Sequence, residues 1–437
     1  MASQCISFEN APSRWNFFVG LVFLHFLALS ADSIYLDLGY FQLKIGHLVG
    51  FLLLVVLSIA KGFVFIGKRF YYCAILILSS TIISSFFSDL FFRSFPYSIV
   101  YVFSFLSYFV VPVNIMYFQD ENRMFKLYVL SYLCIGSYAA LQFFSSIIGI
   151  VLPFSVQTIV YVRGSAFSHE PSFYALYAIP FVMFLNAKWL FKQANGSKEK
   201  GSLMKVIFAN LFLLVSTATS AFFSYIVFFF VLFFFKRFPA VESCFSGLRK
   251  KTLQIFLLFA TFFSMGAFFF SELFRQTFLK FFYYGLTIRS FQDRTDGMLS
   301  AINTFLEYPL FGVGLGGVGP RVYRQECGGA AEQLDREILN GWEPTNVLTE
   351  VLGSLGLYGF IVLCIFIVVL WDYFRKILED RRLLQDEKIN ILALFVSIIV
   401  MLICLQINQG LFRCYVWTHI GVGVGYVLKV KSRLLTR

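Results

Sequence analysis

Charge is scarce in this chain: Asp, Glu, Lys and Arg together supply 14% of its 437 residues, while hydrophobic residues supply 59%. Soluble domains carry about a quarter of their residues as charges, so this composition excludes a water-exposed fold, whose surface it would coat with apolar side chains. Histidine is scarcer still, with four residues, and the eight cysteines contain no Cys-x-x-Cys pair. That removes the common zinc spacings and gives no disulfide framework. Cys73, Cys134, Cys364 and Cys404 fall in or near apolar runs, where cysteine behaves as a small hydrophobe. Arg14 is followed by an apolar stretch with no small-residue cleavage pattern before Asp32, so the first helix is expected to stay as an anchor. No repeat with a period of roughly 20 to 50 residues stands out, and no inverted symmetry relates the halves.

What the sequence has in abundance is long apolar runs, which raise its mean hydropathy to +0.76. A spanning helix needs roughly 20 apolar residues to cross about 30 Å of hydrocarbon. The whole chain, 1–437, therefore reads as one all-α, polytopic membrane helix bundle of about twelve transmembrane helices. They are expected near 15–31, 45–60, 70–87, 96–118, 127–149, 171–187, 204–218, 219–235, 252–272, 346–371, 389–407 and 414–430. The break at Ser216-Thr217-Ala218-Thr219-Ser220 is decisive, because an unbroken helix there would invert everything downstream. Phenylalanine-rich stretches such as 227–235 are expected to face lipid.

The formal net charge of +12 is distributed as topology signals and not as a nucleic-acid surface. With both termini cytoplasmic, 25 of the 36 basic residues fall in inside segments, among them Lys68, Arg69, Arg123, Lys376, Arg382 and Lys431. Seven of the rest lie in one long external loop, 273–345, between the ninth and tenth helices, with helix-like runs at 275–288 and 295–307. The expected location is an inner membrane, with the functional face on the external, periplasm-like side. Membrane lipids are expected as neighbours and nucleic acid is not.

Two external segments depart from plain connectors. The first runs from Arg163 through His169-Glu170-Pro171-Ser172; the second is the long loop, with Arg289, Arg294 and the glycine series Gly312, Gly314, Gly316, Gly317 and Gly319. Arginine near a membrane boundary is costly, and its planar fork of donors suits phosphate oxygens. Arg163, Arg289 and Arg294 could therefore form a receptor for a diphosphate head group; the alternative is that they anchor helices at lipid phosphates or pair with Asp293, Asp296 and Glu170. Glu170 or His169 could serve as general base, or Glu170 could simply favour the helix start that follows it. The glycine series lacks the strand and acidic residue of a dinucleotide loop and is expected to allow tight turns or close approach to a head group. Gly356 and Gly359 read as helix-packing positions. His25, His47 and His419 are expected to be hydrogen-bonded inside the bundle, and Gln406, Asn408, Gln409 and Arg413 could line the same cavity as Arg163.

In this order and on this topology, three local patterns resemble the O-antigen polymerase and ligase family (Wzy- and WaaL-like proteins). They are Arg163 to Ser172, Arg294 with the Pro-Leu-Phe-Gly-Val-Gly-x-Gly of 309–316, and Asn346 followed after nine residues by Gly-x-x-Gly at 356–359. The resemblance implies a GT-C-type, inverting, metal-independent glycosyltransferase that needs no cofactor. Its donor would be an undecaprenyl-diphosphate-linked glycan, and a chain-length regulator is a possible partner. Arg163, Arg289, Arg294, Asn346 and Arg413 would then hold diphosphate or substrate, with Glu170 or His169 as base. In the ligases a histidine precedes the motif's asparagine. Thr345 stands there in this chain, which favours a polymerase of lipid-linked repeat units over a ligase acting on lipid A core. A transporter or flippase is the rival from another class; it would place polar residues near the bilayer midplane.

Overall fold

The computed structural model describes residues 12–31, 33–37, 42–61, 67–157, 162–196, 201–216, 218–238, 244, 289–327, 344, 346–407 and 413–436. It is a helical bundle. Helix α1 (Pro12–Leu27) is followed by a hairpin of β1 (Tyr35–Asp37) and β2 (Gln42–Lys44), then α2 (Ile45–Lys61), α3 (Lys68–Phe86) and α4 (Phe91–Phe105). A π-helical turn, Leu106–Val110, joins α4 to α5 (Val111–Phe118), and α6 (Glu121–Ile147) follows. A second hairpin, β3 (Val156–Gln157) and β4 (Val162–Arg163), leads into α7 (Pro171–Ala194), α8 (Ser202–Leu214) and α9 (Thr219–Phe235). Beyond these come α10 (Arg289–Glu307), α11 (Val318–Cys327), α12 (Val347–Leu378), α13 (Gln385–Cys404) and α14 (Cys414–Thr436).

Each expected helix except 252–272, which lies outside the described residues, has a counterpart here. Among the described residues six helices are long and apolar enough to cross a membrane, and four shorter ones are apolar. The chain is therefore a membrane-embedded helical protein. The break near 216–220 is real: α8 stops at Leu214, and Ala218 is extended, with φ −85° and ψ 141°. Tyr225 Oη donates to Asn210 Oδ1 at 2.8 Å, and these positions lie equally far from the break, so α9 runs back alongside α8. Asn210 is also paired amide to amide with Asn186 of α7, at 3.0 and 2.8 Å, a neutral polar clamp of the kind that holds helices together in lipid.

The core is built on α7, α13, α14 and the α4–α5 helix. Tyr174 through Leu185 of α7 are almost wholly buried, and Tyr128, Tyr132 and Phe181 stack at ring distances of 4.3 and 4.9 Å. The phenylalanine-rich α9 divides its rings. Phe230 and Phe233 point outward, as expected of lipid-facing residues, whereas Phe228 and Phe235 are buried, Phe235 against Phe395. His419 is clamped by Tyr128 at 2.8 Å and Ser397 at 2.7 Å, and His47 Nδ1 accepts from the Lys44 amide. His25 corrects the expectation: it is buried with neither ring nitrogen hydrogen-bonded among the described residues, and its ring stacks on Tyr108.

The bundle has two distinct ends. At one end lie both hairpins, the α8–α9 turn, the start of α12, the end of α13 and the start of α14. Contacts such as Ser33 N to Phe167 O, Gly164 N to Val215 O and Val347 N to Leu405 O tie them together. This is the loop end. The other, basic end joins the starts of α3, α6 and α13 to the finishes of α12 and α14. Arg69 meets Asp372 there, and Glu121 meets Lys429 and Arg433.

Candidate functional site at the loop end

Arg163 closes the short strand β4, and its Nε donates to Ser216 O at 3.1 Å, while the next amide, Gly164 N, donates to Val215 O at 3.0 Å. Gly164 is required because a Cβ there would stand 2.7 Å from Ala139 O. Beyond it the chain is gripped by buried Gln142, whose Oε1 accepts from the Ser165 and Ala166 amides and whose Nε2 donates to Ala166 O and Pro153 O. Four hydrogen bonds from one amide side chain fix this stretch as firmly as regular structure would. Gln142 was not singled out in the sequence. Its signal was the one amide side chain in the apolar run 127–149.

His169 and Glu170 are exposed at the end of this stretch. The His169 ring lies 5.6 Å from Tyr35, and Glu170 Oε2 accepts from Ser172 Oγ at 2.9 Å. Glu170 is the extended N-cap residue of α7 and Pro171 opens the helix, as a ring without a free N–H suits the first turn. Arg413 lies over the first turn of α7, its guanidinium carbon 3.7 Å from the Phe173 ring centroid. One guanidinium and one carboxylate thus flank the start of the same buried helix.

Asn346 caps α12: its Oδ1 accepts from the Leu348 and Thr349 amides, and its Nδ2 donates to Gln406 O at 2.8 Å. The capping geometry engages both faces of its amide, so it clamps the start of α12 to the end of α13, seven residues before Arg413. Arg289 and Arg294 both belong to α10, which begins at Arg289 and so extends the expected run at 295–307 toward the amino terminus. Their helix positions are separated by about 140° around the axis. Their side chains, the run at 275–288, Asn408 and Gln409 lie outside the described residues.

The glycine series makes the tight turns expected of it, with Gly312, Gly314 and Gly316 all at positive φ, and it has a second use. Helix α12 breaks at Gly356, with φ 64° and ψ −164°. The freed backbone groups pair with 309–314: Val313 N to Gly353 O, Gly314 N to Ser354 O, Leu357 N to Pro309 O and Tyr358 N to Leu310 O. A Cβ on Gly312 would stand 2.5 Å from Ser354 C, and one on Gly356 2.5 Å from Leu310 C. The glycines therefore serve close approach between two backbones, and Gly356 accepts a loop and not a neighbouring helix. Serines of α3 and its exit complete the seal: the one proton of Ser84 Oγ is shared between Phe311 O and Ser354 O, and Ser88 Oγ donates to Val313 O. Nothing but the serine spacing hinted at them.

No family model matches this sequence, and no curated protein is significantly similar to it.

Two further groups were missed. Arg321 of α11 reaches Asp89 at 3.0 Å and Glu307 at 2.7 Å, with its guanidinium carbon 4.1 Å from the Tyr308 ring centroid. Burial and the hydrogen bond to Asp89 both raise the Tyr308 pKa; burial works against the Arg321 charge, and Glu307, Tyr308 and Asp89 more than restore it. This network fastens α11 over the α3–α4 turn. The second is Glu350, in the first turn of α12: its side chain is buried, and its amide donates to Asn346 O at 2.8 Å. A carboxylate buried inside a bundle of apolar helices marks a functional position by default. Its signal was a single acid four residues after Asn346 in an apolar run.

Proposed function

We propose that the chain is a membrane glycosyltransferase of the O-antigen polymerase type. It would join undecaprenyl-diphosphate-linked repeat units at the loop end of a GT-C-like bundle of about twelve spanning helices, in the inner membrane with that end facing the periplasm. The observation that carries the reading is the gathering at one end of Arg163, Arg413, His169 and Glu170 on supports that Gln142, Asn346 and α7 hold rigid. Supporting groups that fix the geometry before the reaction are what electrostatic catalysis requires.

In this reaction the hydroxyl of an acceptor sugar attacks the anomeric carbon of a lipid-linked glycan. The new glycosidic bond forms as the bond to the diphosphate oxygen breaks, the configuration inverts, and undecaprenyl diphosphate leaves with the electron pair. The hydroxyl proton passes to Glu170, with His169 as the neighbouring alternative. Arg163 and Arg413, joined by Arg289 and Arg294 from α10, would meet the growing negative charge of the leaving group. A guanidinium suits that task because its planar donors match phosphate oxygens.

A transporter would use a broken helix to coordinate its cargo. The break in α12 is instead occupied by the chain's own 309–314 backbone, which weighs toward the enzyme. Deleting the gene and inspecting the surface polysaccharide tests the reading. Single repeat units on lipid A core are expected. Bare core with intact lipid-linked polymer would mean a ligase, and an unchanged polysaccharide would remove the proposal.

A further inference from the structure

At the basic end, opposite Arg163, the start of α3, the finish of α12 with the chain after it, and the last turns of α14 enclose a cavity of about 500 Å³. Five cationic side chains line it: Lys68, Arg69, Lys376, Arg382 and Lys431. Two carboxylates face them. Asp380 is paired with Arg382 at 2.8 Å, and Asp372, just outside, is shared by Arg69 at 2.7 Å, Lys376 at 2.8 Å and Arg375 at 3.4 Å. Positive charge is in clear excess.

Helix α3 adds to it. Gly67, with φ 78°, is its N-cap residue and carries no side chain to cap it, and Lys68 and Arg69 occupy its first turn. Cations are repelled by the positive end of a helix, so this start and its two side chains concentrate a potential suited to an anion. Tyr373 also lines the cavity, and its buried hydroxyl makes no hydrogen bond among the described residues. Apart from Ser432, the remaining wall is apolar: Leu435 is exposed on it, backed by buried Phe70, Val427 and Leu428. A small hydrophilic anion would answer the cations and leave that wall wet; an anionic amphiphile answers both, and basic pockets between membrane helices bind such head groups.

We propose that this cavity binds the phosphate head group of an anionic phospholipid from the adjacent leaflet, with an acyl chain covering the apolar wall. The site joins the ends of three helices and requires only that the chain be membrane-embedded, so it stands apart from glycan transfer.

The test uses the full-length protein purified in detergent and titrated with dioleoylphosphatidylglycerol, dioleoylphosphatidylcholine or inorganic phosphate, with bound lipid counted by native mass spectrometry and stability followed by thermal unfolding. Wild type is expected to retain one phosphatidylglycerol at least tenfold more tightly than phosphatidylcholine and to gain thermal stability from it. Each basic group near an anionic head group contributes about fivefold. The pair Lys68→Gln/Lys431→Gln should therefore lose about tenfold or more, while Lys205→Gln/Lys236→Gln, exposed at the same end, should bind as wild type does. Tyr373→Phe removes only a hydroxyl and should weaken binding a few-fold with unfolding in lipid-free detergent unchanged. Equal retention of the two lipids would overturn the proposal. So would an equal loss in the control pair, or a shift reproduced by inorganic phosphate alone.

Discussion

The two ends of the bundle are held by different forces. At the basic end, charge pairs join helices: Glu121 of α6 meets Lys429 and Arg433 of α14, each at 2.7 Å, and Arg433 reaches Glu387 of α13 at 3.3 Å. At the loop end the chain is pinned by neutral groups, namely Gln142 on the 165–166 amides, Asn346 on α12 and Gln406, and the 309–314 backbone against the break at Gly356. Among the described residues the ion-paired exception is Arg321 with Asp89 and Glu307, which fastens α11 to the end of α10 and the α3–α4 turn. Arg93 and Arg163 each donate to a backbone carbonyl, Gly316 O and Ser216 O. Charge at the basic end therefore belongs to the architecture. Arg163, Arg413 and Glu170 lie on a frame that neutral hydrogen bonds maintain.

That contrast can be broken most severely at Gly356. Its dihedral angles belong to a region essentially reserved for glycine, and a Cβ would meet Leu310 backbone, so Gly356→Ala should cost about 3 kcal/mol from strain and overpacking together. Thermal unfolding in detergent and the yield of folded protein report it. Next comes Arg163→Gln, expected to reduce glycan transfer about a hundredfold, or about 2.7 kcal/mol, if it stabilises the leaving diphosphate. Its melting temperature should move little, since one partly buried hydrogen bond is worth about 1 kcal/mol. Glu121→Gln should show the opposite pattern. Leaving Lys429 and Arg433 without their shared carboxylate, itself only 16% exposed, should cost about 2 kcal/mol of stability and leave transfer per folded molecule unchanged.

Two carboxylates of the loop end, Glu170 and Glu350, sharpen the comparison further. If exposed Glu170 is the base, Glu170→Gln removes transfer and Glu350→Gln does not; the reverse outcome would move the base to the buried acid of α12. The smallest effect concerns Asp380, whose carboxyl is held down to about 2 by the Arg382 guanidinium and backbone amide. An unfolded aspartate titrates near about 3.9. The folded-state value is depressed, so this contribution is complete above pH 4 and is lost as pH falls from there toward 2. Thermal unfolding of wild type and Asp380→Asn should differ at pH 6 and converge at pH 2.

Helix positions were legible because each apolar run is long and bounded by charge or turn residues, and the split at 216–220 followed from the one-sided placement of lysine and arginine. The shared end of Arg163, Glu170 and Arg413 was legible for the same reason: alternating helices put them on one side. The seal at Gly356 was not, because periodicity carries no record of backbone pairing between segments some forty residues apart. The capping role of Asn346 was not legible, because it depends on where Gln406 lies. The basic cavity escaped notice because Lys68, Lys376 and Lys431 come from three distant segments, and each alone reads as a topology signal.

The most direct measurement of the central claim gives purified protein, in lipid nanodiscs, an undecaprenyl-diphosphate-linked repeat unit and follows released undecaprenyl diphosphate and glycan length together. Wild type should release one carrier for every unit added and build chains of two or more units, and folded Arg163→Gln should do neither at a comparable rate. Folded wild type that releases no carrier and leaves the repeat unit unextended would contradict the account.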